Sequence, residues 1–256
     1  MKKTILSLAI FASIGSATAA GWEHSGVGGS ISIGGTLEMT DKMVTPWEVK
    51  VGENVSDLNY KITAGQQNVQ ITANKSIPIL GIRNTSINGF VGQAGIKPQI
   101  DFKDAIAING FNNGVTTLTL PVKKADGSDV GTLNVPFSSA AVLSWALNQG
   151  TGSKAVGAEA PGASFWGGLG KNESQIRRYG SLELIDELDP DFLANFKVRS
   201  WDGAAYNEQF ANSSATYHAA YGAGIASGST INIKLTQPAT ETINWKATLP
   251  IVVSYM

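Results

Sequence analysis

The chain has 256 residues, no cysteine, two histidines and nearly balanced charge, with 19 basic residues against 20 acidic ones. No basic stripe is visible, which argues against nucleic acid as a partner, and the lack of cysteine excludes a disulfide framework and a cysteine-held zinc. The length is ample for a sizeable core in one large or two small domains.

Residues 1–19 are expected to be a signal peptide: Lys2 and Lys3 precede an apolar stretch, and Ala17-Thr18-Ala19 offers the cleavage site. The apolar stretch is too short for a permanent spanning helix. The remaining chain carries 17 basic and 20 acidic residues, a net charge near −3. Residues 27–38, VGGSISIGGTLE, then put small or apolar residues at every second place: Val27, Gly29, Ile31, Ile33, Gly35 and Leu37. That is the period of a strand with one dry face. Its simplest role is a strand in the chain's own sheet.

Further strand patterns follow at short intervals. WEVKV (47–51) alternates, NVQITA (68–73) puts Val69, Ile71 and Ala73 on one face, and IPILGI (77–82) is a buried run. IKPQIDF (96–102) and AIAING (105–110) come next, then a hairpin over 117–137 around Asp126-Gly127-Ser128. STINIKL (229–235) alternates, and 243–256 places Trp245, Ala247, Leu249, Ile251, Val253 and Tyr255 on one side. Pro250 has no N–H, so its outward backbone should face an edge or a gap. Short strands at this spacing predict a sandwich.

The middle reads differently. Residues 138–147 are expected to be a helix capped by Ser138 or Ser139, and 150–170 a loop. A second helix is expected over 172–189, capped by Asn172, with Ile176, Tyr179, Leu182 and Ile185 sharing a face and Gly180 weakening it. DPDFLANF adds one more turn. Residues 138–205 thus form a helical and looped insertion.

Chemical motifs are absent. Two histidines without i, i+4 spacing make no usual zinc site, and no nucleophile elbow or dinucleotide fingerprint occurs. DELDPD (186–191) lacks the glycine and terminal glutamate of a calcium loop and reads as a solvated helix end. No cofactor, metal or catalytic residue is expected. A glycan hydrolase remains the enzyme alternative, since acids and aromatics occur in the insertion.

Several short motifs occur in a particular order: Ala20-Gly21-Trp22, Ile33-Gly34-Gly35, Trp47 to Gly52, Gly95 to Ile100, the Leu120–Gly131 hairpin, Tyr221 to Ser229, and Trp245 to Tyr255. Together they resemble the FaeG-like fimbrial subunits, the adhesive major subunits of enterobacterial chaperone–usher fimbriae. Val49 stands where that pattern has a second tryptophan, and Ile243 where pilus subunits often have a glycine. The resemblance implies an incomplete immunoglobulin-like β-sandwich over 39–256, missing one strand, and an N-terminal donor-strand extension over 20–38. The donor's Val27, Gly29, Ile31, Ile33, Gly35 and Leu37 would fill the groove of another copy, a form of strand addition. The implied partners are further copies of the chain, a periplasmic chaperone binding the strand with Ala247, Leu249, Ile251, Val253 and Tyr255, an outer-membrane usher, and a host glycoconjugate. The implied route runs through the periplasm to a cell-surface fimbrium. A minor or initiating subunit shares these features. Because the family's insertion carries glycan binding, Trp166, Trp201 and Tyr206 are candidate stacking residues, and Arg177 and Arg178 candidate donors to sugar hydroxyls.

Overall fold

The computed structural model describes residues 45–256. The expected signal peptide and the donor positions Val27 to Leu37 lie outside them. The described chain contains β1 (Trp47–Val51), β2 (Asn68–Thr72), β3 (Ile77–Asn84), β4 (Phe90–Val91), β5 (Pro98–Asp101), β6 (Val115–Lys124), β7 (Asp129–Leu147) and β8 (Gly150–Val156). After these come α1 (Ser181–Leu188), a 3-10 turn (Pro190–Leu193), β9 (Trp201–Ala205), β10 (Thr216–Ile225), β11 (Thr230–Leu235), β12 (Trp245–Lys246) and β13 (Val252–Tyr255). The fold is mainly β, as expected, and its layers are compatible with an immunoglobulin-like sandwich.

The 19-residue β7 joins the two layers by changing partners along its length. Its first half lies between β6 and β11, with Leu133 opposite both Leu120 and Ile233. Its second half lies between β10 and β8, with Leu143 opposite Ala219 and Lys154. One layer therefore runs β1-β3-β10-β7-β8-β9, and the other β2-β11-β7-β6-β12. Leu80, Ile82, Leu143 and Tyr221 of the first face Val69, Ile71, Val122, Val135, Phe137 and Ile231 of the second in one apolar core. The alternation of 117–137 survives as the β6–β7 hairpin: Leu118, Leu120 and Val122 point inward while Thr117, Thr119 and Pro121 point out.

The other face of the first layer is covered by α1 and the 3-10 turn. Leu184, Ile185, Leu188 and Phe192 pack there on Ala140, Val142 and Ala220. Close approach is possible because the floor lacks side chains: a Cβ on Gly81 would sit 2.2 Å from the Phe192 ring. Charge holds the rim. Lys50 Nζ lies 2.7 Å from Asp189, and Arg83 lies 2.6 Å from Asp191 and 2.8 Å from Glu48. The Arg83 hydrogen bond, then that of Lys50, holds the Asp191 carboxyl below its ordinary value. The acidic run is a solvated helix end, as expected, with Asp186, Glu187 and Asp191 exposed, and its Asp189 and Asp191 are tied to the rim by these ion pairs.

Three expectations over the middle are corrected. Residues 138–147 are not a helix but the second half of β7, with Ser138 and Ser139 paired to Gly224 and Ala223. Both faces of this strand are covered, so its apolar run carries no strand period. Residues 150–156 are strand β8 rather than loop. The helix expected over 172–189 begins only at Ser181. Asn172 Oδ1 instead accepts from Ser174 Oγ and Gln175 N in a local turn, and Gly180 takes a left-handed φ of 73° before the first helical residue. Residues 105–110 are likewise not a strand: they make one bridge, Ile106 to Leu118, and a 3-10 turn at Ile108–Gly110. The single turn expected after Pro190 is present.

Candidate functional site: an apolar groove with unpaired walls

A groove of about 650 Å³ opens between the layers. Its floor comes from strands whose alternation sends apolar side chains inward: Val69 and Ile71 of β2, Leu118, Leu120 and Val122 of β6, and Ile231, Ile233 and Leu235 of β11. Residues 52–62 line it as well, with Val55, Leu58, Tyr60 and Ile62. So do Ile243, Trp245, Ala247, Leu249 and Ile251 of the C-terminal stretch.

The C-terminal stretch is held at its two ends only. Trp245 and Lys246 pair with Lys124 and Lys123, and Val252–Tyr255 pair with Asp101–Pro98. Among the described residues, 247–251 join no ladder and make no backbone hydrogen bond. Its burial alternates strictly: Ile243, Trp245, Ala247, Leu249, Ile251, Val253 and Tyr255 are each half-buried, and the residues between them exposed. This is the expected one-sided face, but no side chain on it is fully enclosed. Pro250 sits in the unpaired part, as its missing N–H requires. Residues 53–62 are equally unpaired apart from a local bond from Asn59 N to Asp57 O. Apolar surface and free backbone groups thus occur side by side, the combination an added strand satisfies.

The five candidate sugar-binding residues fall in two places. Trp166 is half-buried against the main core, with the Lys171 ammonium 5.4 Å from its ring centroid. The others belong to the turn 172–180 and to β9 with the residue after it. Arg178 bonds Glu173 and lies 5.5 Å from the Tyr179 ring centroid. Tyr206 stands close enough to feel both charges. Burial first, and Glu173 second, push its phenol upward, against the opposing pull of Arg178. Arg177 is half-buried, and its Nε is enclosed without a hydrogen-bond partner among the described residues. Trp201, 47% exposed, begins β9 opposite Ser153. Glu173 and Tyr179 stand beside Arg178 in the same cluster, a grouping the sequence reading does not make. Tyr179 was expected on an apolar helix face, yet it is 79% exposed because the helix does not reach it. Gly180, read as a helix start rather than a helix interior, is the signal that would have found it.

No group of three or more metal-ligating side chains occurs among the described residues, and no helix there is long and apolar enough to cross a membrane. What the fold and the groove define is a class, a mainly β sandwich whose interior meets solvent along a strand-sized gap. The family model for fimbrial major and minor subunits of the K88 type matches residues 1–256. The chain is 31% identical to K88 fimbrial protein AC of Escherichia coli over 286 residues, covering all of both chains. It is 31% identical to K88 fimbrial protein AB over 292 residues and 27% identical to the F41 fimbrial protein over 289, both from Escherichia coli and again over the full length of both chains. The chain belongs to the K88-type family of fimbrial subunits. These relatives are structural fimbrial proteins, so the hydrolase alternative is set aside.

Proposed function

We propose that the chain polymerises into a cell-surface fimbrium by donor-strand exchange. The alternating face Val27, Gly29, Ile31, Ile33, Gly35 and Leu37 of one copy enters the groove of the next and pairs with its unpaired walls. The observation that carries this reading is the groove itself, apolar on its floor and lacking a backbone ladder along residues 53–62 and 247–251. Four apolar anchors, each worth about 1.5–3 kcal/mol when fully buried, together with ladder hydrogen bonds, make a durable joint. Before assembly the same surface is an aggregation hazard. A periplasmic chaperone covers it by engaging the stretch with Ala247, Leu249, Ile251, Val253 and Tyr255, and an outer-membrane usher receives the complex. Deletion of residues 20–37 in fimbriated cells tests the reading: the truncated subunit is expected to be missing from fibres or to end them. Normal fibres built of it refute donor-strand exchange.

The same subunit is proposed to bind host glycans through the surface around Arg178, with Tyr179, Tyr206 and Trp201 as stacking faces and Arg177 and Glu173 beside them. The exposure of Tyr179 next to a charged hydrogen-bonding pair, and the approach of β9 to Arg178 at Gly203, two residues after exposed Trp201, support this placement. Trp166, held against the core and under Lys171, is not part of it.

A further inference from the structure

A second feature, independent of the groove, lies on the outer face of the first layer. His218 of β10 is 2% exposed. Its Nδ1 is 3.0 Å from the carbonyl oxygen of Asn195, and its ring is covered by the turn at Gly89, where a Cβ would come within 2.8 Å of Nε2. Asn195 begins the segment 195–200 that leads to β9. Its Nδ2 donates to the carbonyls of Asn84 and Thr85 at 2.9 and 3.0 Å, and its own carbonyl also accepts from Asn84 Nδ2 at 3.2 Å. Asn84 is itself fully buried and accepts from Ala219 N. Further along, Arg199 N donates to Ser153 Oγ, and Ser153 N to Ser200 O. The segment is thus clasped to the sheet through a few buried polar groups, with His218 at the centre.

The charges around this histidine all have one sign. Exposed Lys197 and half-buried Arg199 of the segment are the charges near it, and neither forms an ion pair with a carboxylate among the described residues. β7 places the uncharged Ser144 opposite it, β3 contributes the uncharged Asn84, and the turn 85–89 has no ionisable residue. Ser144 Oγ and Arg199 Nε are both enclosed without partners among the described residues. A proton on the ring would therefore put a positive charge in a buried place near two others, with no anion among the described residues to meet it.

The geometry points to an acid-released clasp: protonation of His218 frees residues 194–200 from the sheet and leaves the β-sandwich intact. The freed segment carries the approach to Trp201 and β9, so acid changes how that edge is presented. Burial, with the nearby Arg199 and Lys197 adding to it, holds the ring below its ordinary value, although the bond to the Asn195 carbonyl pulls the other way. The clasp's contribution is then complete above the free histidine value and declines as pH falls from there through the folded value.

Hydrogen exchange on purified fimbriae, corrected for the intrinsic pH dependence of exchange, tests this. Protection of amides 194–200 is expected to fall at least tenfold between pH 7.5 and 4.5, with β6 and β7 unchanged over the same range. His218→Gln should flatten the response to within about threefold, the loss of a single titrating group. The double variant K197Q/R199Q, altered at partly solvent-facing positions, keeps the ring but removes the repulsion, so the folded value rises towards the free one and the loss should become smaller and level off at higher pH. A pH-independent segment, a loss shared equally by β7, or unchanged curves in K197Q/R199Q would overturn the assignment.

Discussion

Leu249→Ala separates the energy of the joint from the energy of the fold. Leu249 lines the groove, half-buried, from the unpaired part of the C-terminal stretch. In a free subunit it packs on one side only, so truncation removes roughly half of the 1.5–3 kcal/mol of a fully buried leucine, about 1 kcal/mol. With a strand in the groove it is enclosed, and leucine-to-alanine in a packed core costs about 2–5 kcal/mol. The difference, about 1–4 kcal/mol, falls on the joint, and 1.4 kcal/mol is about tenfold. Fibres of the variant should dissociate at least about fivefold faster in detergent at a temperature below subunit unfolding, followed by electrophoresis of unboiled samples. Leu184→Ala is the control. Leu184 is buried in the helix–sheet cluster, apart from the groove. Its truncation should lower the subunit's melting temperature and leave fibre dissociation near the wild-type rate. If L249A and L184A fibres dissociate alike, or L249A matches wild type, the enclosure of Leu249 on assembly is wrong.

Gly81→Val drives a side chain into the Phe192 ring, and overpacking of this kind costs about 1–3 kcal/mol. For a domain of this size that is a melting temperature lower by about 2–12 °C in calorimetry, partly recovered by adding Phe192→Ala. Arg83→Ala removes the leading hydrogen bond to Asp191, whose carboxyl the partner holds low. That bond stabilises above the free carboxylate value and is lost as pH falls through the depressed one, so the melting difference from wild type should be present at pH 7 and vanish in acid. Tyr217, pushed up to about 12 by burial, should titrate late in absorbance of the phenolate, and the fully buried Tyr221 only on unfolding. Raised phenol values stabilise below the free value and are lost as pH rises through the folded one. Tyr179→Ala should reduce binding of fimbriae to a glycan array without changing fibre yield, whereas Trp166→Ala should lower stability and leave binding alone.

The groove's ingredients were legible in the sequence because they rest on period two. The odd-numbered positions from Ile243 to Tyr255, and the inward residues of 117–137 and 229–235, all face where the alternation placed them. Pro250 marked the unpaired stretch for a chemical reason that needs no partner. Residues 53–62 carried only a partial signal: Leu58, Tyr60 and Ile62 alternate in LNYKI, but the preceding ENVSD breaks the period. The middle failed where both faces of a strand are covered. Ala140 and Val142 meet α1 while Ala141 and Leu143 meet the main core, so SSAAVLSWAL holds no period that distinguishes strand from helix. The bare floor under Phe192 was equally silent: Gly81 and Gly222 become neighbours only once β3 and β10 pair.

Side-chain rearrangement alone cannot close this groove. Larger side chains on the floor would fill about 650 Å³, but they offer nothing to the N–H and C=O groups along 53–62 and 247–251. Shut away from water in a joint, those groups would need a backbone of their own, extended and set between the two walls. An occupant must then present an apolar side chain at every second residue, and small residues where the walls come near, because strand period is two on both sides of a ladder. Residues 27–37 have that form, with glycine at 29 and 35 and branched or long apolar residues at 27, 31, 33 and 37. A stiff apolar plug or a helix satisfies the floor and leaves the walls unpaired. On the proposed donor-strand reading the groove selects for strands, and among strands for those with this alternation, so that a chain without cysteines makes its joint from burial and hydrogen bonds alone.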